Sequence, residues 1–151
     1  MEQRGRGMNL VSAFPKLDES EHEWLVSVAD TLTYDSGATV IKEGDVVDTL
    51  LIIKSGNLRV TRVYLDEICA EFAGPLGPGE VIGELSLMDG HGASATLVAD
   101  GLCEILSIPR NILTERLEQD IHFTARFYES LFLDISKKLR STNQRVMPVP
   151  P

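Results

Sequence analysis

The chain has 151 residues, of which 43% are hydrophobic and 25% charged, and a formal net charge of −9. That size and balance describe one soluble globular domain, long enough to bury a core without disulfide staples. The acidic excess excludes a general nucleic-acid binder, because a phosphate backbone rewards clustered lysine and arginine.

Residues 1–8 carry Arg4 and Arg6 but no apolar core of a secretory signal, and no apolar run approaches the ~20 residues that cross a bilayer. Membrane insertion is therefore not expected. Cys69 and Cys103 lie far apart without Cys-x-x-Cys spacing. They read as buried strand thiols in a reducing compartment, which places the protein in the cytoplasm. A flexible amino terminus is expected over 1–14, a single domain over 15–146 and a flexible tail over 147–151.

In chain order, Asp18-Glu19-Ser20-Glu21 has the form of a capping box. Trp24, Leu25, Val28 and Ala29 follow at helical spacing, so an amphipathic helix of about three turns packs on what comes next. From Leu32 to about Ile108 the pattern changes to short runs rich in Val, Ile, Leu and Thr. Turn clusters separate them: Asp35-Ser36-Gly37, Glu43-Gly44-Asp45, Ser55-Gly56-Asn57, Gly77-Pro78-Gly79, Asp89-Gly90 and Asp100-Gly101. Strand-like runs punctuated this regularly predict an antiparallel β-roll or jelly roll, with Leu58 and Val60 facing inward between Asn57, Arg59 and Thr61.

The last third is helical. Pro109 suits a first helical turn continued by Arg110 to Leu117, and a longer helix runs from about Asp120 to Arg145. Phe132, Ile135, Leu139, Thr142 and Val146 follow a 3-4-3-4 spacing, a heptad-like stripe, with Phe127 and Leu131 on a neighbouring face. The stripe predicts a homodimer through residues 127–146. The alternative is that the same face covers the β-roll of a monomer. Lys137, Lys138, Arg140 and Arg145 are interrupted by no acid, and either complement the helix macrodipole or form an anion-binding patch. His22, His91 and His122 show no metal-ligand spacing and no nucleophile–base set is recognisable, so neither an enzyme nor a metal site is expected.

Several segments together resemble the cyclic-nucleotide-binding domain family. Ile41-Lys42-Glu43-Gly44-Asp45 and Leu50 to Val60 resemble its opening strands. Leu76-Gly77-Pro78-Gly79-Glu80-Val81-Ile82-Gly83-Glu84-Leu85-Ser86-Leu87 resembles its L-x-x-G-x-x-F-G-E-L signature, with Ile82 for the usual aromatic. Lys137 to Asn143 is similar to the close of the dimer helix in catabolite activator proteins. The resemblance covers about residues 15–146. A DNA-binding domain of the catabolite-activator type would have to follow the long helix, where only Met147-Pro148-Val149-Pro150-Pro151 remains, so a transcription factor of that type is not expected.

The resemblance implies a fold and a site. The fold is a β-roll between an amino-terminal helix and carboxyl-terminal helices. The site is the cassette from Gly83 to Leu97. A tight Gly83 turn leads into a short helix whose N–H groups at Leu85 and Ser86 face a cyclic phosphate. Glu84 accepts the ribose 2′-hydroxyl, while the Ser94 hydroxyl and the Ala95 N–H assist at the phosphate. Thr142 and Asn143 fall where the family contacts the purine. The expected ligand is cyclic AMP or cyclic GMP, with an unidentified effector protein downstream. At Ala93, however, the family places an arginine that neutralises the phosphate with forked hydrogen bonds. Its loss costs about 2–5 kcal/mol, by analogy with truncating one partner of a buried charge pair. The chain is therefore either a sensor with weakened or altered binding, or a dimerisation and interaction scaffold of the same fold.

Overall fold

The structure is a computed structural model that describes residues 12–64, 67–69 and 75–145. Helix α1 (Glu19–Val28) is followed by strands β1 (Asp30–Tyr34), β2 (Thr39–Ile41), β3 (Thr49–Tyr64), β4 (Glu67–Cys69) and β5 (Val81–Ile82). Helix α2 (Glu84–Asp89), strand β6 (Thr96–Pro109), helix α3 (Arg110–Gln119) and helix α4 (Ile121–Arg145) complete the chain. All pairings are antiparallel. The order is β1-β6-β3-β4, with β2 also on β6 and β5 also on β3. The result is the expected antiparallel β-roll with flanking helices, and it does not close into a barrel.

The long strands β3 and β6 form the spine. They pair from Thr49↔Pro109 to Thr61↔Thr96, with register shifts around Ser55 that bend the ribbon. The run Leu50-Leu51-Ile52-Ile53 lacks the apolar/polar alternation of a half-exposed strand because both of its faces are buried. Leu50 and Ile52 join Leu106 and Ile108 in a core against the helices. Leu51 and Ile53 point the other way, joining Leu58, Val60, Leu97 and Ile105 inside the roll. Each such side chain contributes about 1.5–3 kcal/mol on burial.

The helical layer is held by aromatic stacking. Phe127 lies between Phe14 and Phe123, with centroids 5.2 and 5.6 Å away, and Trp24 meets Phe123 edge-on at 5.5 Å. Ala13 and Phe14, which the sequence assigns to the amino-terminal segment, are buried in this core. The capping box forms as expected: Asp18 Oδ1 accepts from the Glu21 N–H and Glu21 Oε1 accepts from the Asp18 N–H, both at 2.9 Å. Glu21 carries a second load. Arg126 of α4 donates from Nε and Nη2 to its two oxygens at 2.8 and 2.6 Å, and this fork holds the carboxyl below the usual glutamate range.

Two sequence expectations change here. Pro109 is not in the first helical turn. It ends β6 in an extended conformation and caps α3, which starts at Arg110. A residue without an N–H suits the end of a ladder as well as the start of a helix. The face of α4 is also not uniform. Phe123, Phe127 and Leu131 are fully buried, whereas Phe132 and Leu139 of the heptad-like stripe are 71% and 60% exposed. Phe132 and Leu139 therefore do not cover the β-roll.

Candidate functional site

A cavity of about 530 Å³ opens between the inner face of the roll, the segment from Glu80 to Ala95 and the last turns of α4. Its walls are apolar, from side chains such as Ile41, Val60, Ile82 and Leu97, with a few convergent polar groups, as ligand pockets usually are. Gly83 makes the entry into α2. It sits at φ +88°, and a Cβ there would lie 3.0 Å from Thr49 O, so the position suits glycine alone. α2 then runs for six residues. Leu85 and Ser86 lie in its first turn, where N–H groups have no acceptor within the helix. Ser86 is buried, and Leu85 stands at the rim.

The opposite wall is the loop from Gly92 to Ala95. Gly44 donates its N–H to Ala93 O and Ala93 donates its own to Asp45 O, both at 2.8 Å. The approach is close enough that a Cβ on Gly92 would collide with Gly44 O. Ala93, Ser94 and Ala95 all line the cavity, so position 93 borders that space with a methyl group. His91 projects into solvent at the loop tip. Its ring pairs with Asp89, Nδ1 to Oδ2 at 3.3 Å.

Of the predicted site residues, Gly83, Glu84, Leu85, Ser86, Ala93, Ser94 and Ala95 are brought together around one cavity. Thr142 and Asn143 fall on the final turns of α4, but their side chains lie outside the described residues. Ser141, one position earlier, lines the cavity.

The basic run holds an arrangement that neither sequence expectation for it anticipates. Lys138 does not point to solvent at the helix end. It reaches into the cavity wall, where Nζ donates to Glu84 Oε1 at 2.8 Å and to the Val81 carbonyl, and lies 3.1 Å from Asp134 Oδ2. Glu84 is only 5% exposed, so its charge is held by this ammonium. Burial works against the Lys138 charge, but Glu84 and Asp134 outweigh it and keep the lysine protonated above its usual range. Asp134 is pushed up by burial, with Lys138 only partly opposing that shift. A local signal was present. Phe127, Leu131, Asp134 and Lys138 follow a 4-3-4 spacing, so the inward stripe of α4 continues beyond Leu131 as a polar one.

The family model described as "Cyclic nucleotide-binding domain" matches residues 31–120, more than half of the chain. This chain belongs to the cyclic nucleotide-binding domain family. It is 33% identical over 97 residues to the "Cyclic AMP receptor protein" of Thermus thermophilus, covering 64% of this chain and 44% of that protein. It is 28% identical over 109 residues to the "cGMP-dependent protein kinase egl-4" of Caenorhabditis briggsae, covering 72% of this chain and 15% of the kinase. The chain thus spans less than half the length of either relative. Among solved structures, a cyclic nucleotide-binding domain from Methylobacillus flagellatus KT superposes with a TM-score of 0.85 over 94% of this chain and 83% of that one, at 22% identity, which supports the same fold.

Among the described residues, no group of three or more histidines, cysteines or acids is placed to hold a metal ion, and no helix is long and apolar enough to cross a membrane.

Proposed function

We propose that this domain is a non-enzymatic, cytoplasmic sensor for a cyclic nucleotide or a closely related anionic ligand, and that it signals through α4 to an effector protein. One observation carries this reading. The family's cassette positions surround a preformed cavity of about 530 Å³, and the last turns of α4 form part of its wall. Glu84 is the acceptor for a ligand hydroxyl, and Ser86, Ser94 and the neighbouring N–H groups meet the phosphate. Thr142 and Asn143 approach the base. Cyclic AMP and cyclic GMP are the candidate ligands, since the relatives include a cyclic AMP receptor protein and a cGMP-dependent protein kinase. Ala93 weakens the site by leaving the ligand's charge without its forked donor.

Calorimetric titration tests this directly. Wild-type protein is expected to bind weakly, and Ala93→Arg to tighten binding by about thirty- to several-thousand-fold, the equivalent of ~2–5 kcal/mol. Absence of heat at millimolar cyclic AMP and cyclic GMP in both proteins would refute the sensor.

A second function, homodimerisation, is favoured by the outward stripe of α4. Phe132 and Leu139 expose most of their apolar surface one heptad apart, as residues of a helix–helix seam do. Phe132→Glu with Leu139→Glu should convert a dimer to a monomer in light scattering. A wild-type mass already equal to one chain would rule the dimer out.

A further inference from the structure

The cavity wall holds no excess of positive charge. Among the described residues that line it, Arg62, Lys137 and Lys138 stand against Glu80, Glu84 and Asp89. Two of those cations are already engaged: Arg62 lies 3.5 Å from Glu43, and Lys138 donates to Glu84 at 2.8 Å. Behind Lys138, one turn earlier on α4, stands a further carboxylate. Asp134 Oδ2 is 3.1 Å from the Lys138 Nζ. One ammonium thus faces two carboxylates, and the cluster carries one negative charge in excess when both are ionised. With a methyl group at position 93, an anionic ligand enters a space that does not offset its charge.

Asp134 is placed to remove that excess. Its Oδ2 is buried and lacks a well-directed hydrogen bond, a costly position for an ionised oxygen. We propose that the cavity neutralises an anionic ligand with a proton rather than with a fixed cation, and that Asp134 is the residue that takes the proton up. This mechanism rests on the sensor reading above and adds the source of the missing charge. The proton passes from solvent to a carboxylate oxygen of Asp134, and no bond of the ligand changes. Lys138 is then opposed by Glu84 alone. Glu84 keeps its counter-charge, α4 stays docked on α2 and on the Val81 carbonyl of β5, and the cluster is neutral beside the phosphate. Asp134 touches no ligand in this scheme; it positions charge through Lys138.

The sign of the pH dependence follows from linkage. Burial pushes the Asp134 pKa above its ordinary 3.8, Lys138 only partly opposes that shift, and Glu84 on α2 and Glu80 before β5 add to it. A ligand charge raises the proton affinity further, and by reciprocity the proton raises ligand affinity. Binding therefore tightens as pH falls from the ligand-bound pKa of Asp134 to the ligand-free one. His91, paired with Asp89 at the cavity mouth, is a second group there that can take up a proton.

Calorimetry of the full chain, in buffers of different ionisation enthalpy, tests the proposal. Cyclic AMP binding should tighten by about tenfold (~1.4 kcal/mol) from neutral pH to mild acid, with uptake of up to about one proton per nucleotide. Asp134→Asn, uncharged at every pH, should bind about tenfold more tightly than wild type at neutral pH and take up no proton. Ala93→Arg should lose most of the uptake, because a guanidinium then meets the charge. His91→Gln should keep it.

Wild-type binding without proton uptake overturns the proposal and leaves the sensor standing. So does uptake that survives Asp134→Asn and vanishes in His91→Gln. Binding by Ala93→Arg, with none by wild type at any pH, shows that a proton does not replace the guanidinium and overturns it as well. Binding by neither protein removes the sensor and this mechanism together. Should Asp134→Asn fail to fold, carbon NMR titration of the wild-type carboxyl groups takes its place. The Asp134 midpoint should move to higher pH when cyclic AMP is bound, and an unchanged midpoint counts against the proposal.

Discussion

Helix α4 is anchored at two places by the same kind of chemistry, a cation on a buried carboxylate, and the two anchors differ in everything around them. Near its start, Arg126 forks onto Glu21 beside the stacked rings of Phe14, Phe123 and Phe127. Twelve residues on, about 18 Å along the axis, Lys138 meets Glu84 as a single point charge, beside a cavity and a helix face that exposes Phe132 and Leu139. The first contact is rigid and bidentate, backed by a packed core. The second is a flexible ammonium with a second carboxylate within reach. One helix is thus fixed at its root and held at its tip by a contact with an alternative.

The largest expected effect sharpens that contrast. Phe127→Ala removes the ring between Phe14 and Phe123 and should destabilise the fold by about 3–5 kcal/mol in urea denaturation. Lys138→Met should change global stability far less, and a loss comparable to that of Phe127→Ala would make the tip as structural as the root. Arg126→Met comes next. It leaves Glu21, 2% exposed, without its fork, but Arg126 itself is 38% exposed, so the expected cost is about 1–3 kcal/mol.

The smallest effect is a difference in sign with pH. Glu21 has a folded pKa below its ordinary 4.5, so its stabilisation is present above that value and is lost as pH falls through the folded pKa. Asp134 has a folded pKa above its ordinary 3.8. Its native form keeps a proton that the unfolded chain has released, so stability is lost as pH rises from 3.8 through the folded value. Denaturation midpoints taken in pH steps should show the wild-type advantage over Arg126→Met shrinking in acid. Asp134→Asn should gain on wild type as pH rises across the Asp134 window. Parallel curves for either pair would show that the carboxylate concerned is not coupled to folding.

Much of this was legible in the sequence. Local patterns carried it: the capping box at Asp18, the turn clusters and the signature around Gly83. The cation–carboxylate anchors were not, because their partners are 105 residues apart for Glu21 and Arg126 and 54 apart for Glu84 and Lys138. No local period connects such positions; only the folded topology does. The basic run near the carboxyl terminus suggested a helix-end or surface function because its members were counted together. Taken by helical face, Lys138 separates from Lys137 and Arg140 and falls in line with Phe127, Leu131 and Asp134. The two-sided fate of α4's apolar residues was open for a related reason: the heptad spacing of Phe132 and Leu139 describes a stripe without saying what it meets.

The loop at Ala93 is stitched to Gly44 and Asp45 entirely through main-chain atoms. These two hydrogen bonds involve no side-chain atom at position 93, whose methyl group adds only a partly buried contact with the core inside the roll. A substitution there can consequently change what faces the cavity while the main-chain bonds that shape the loop stay in place.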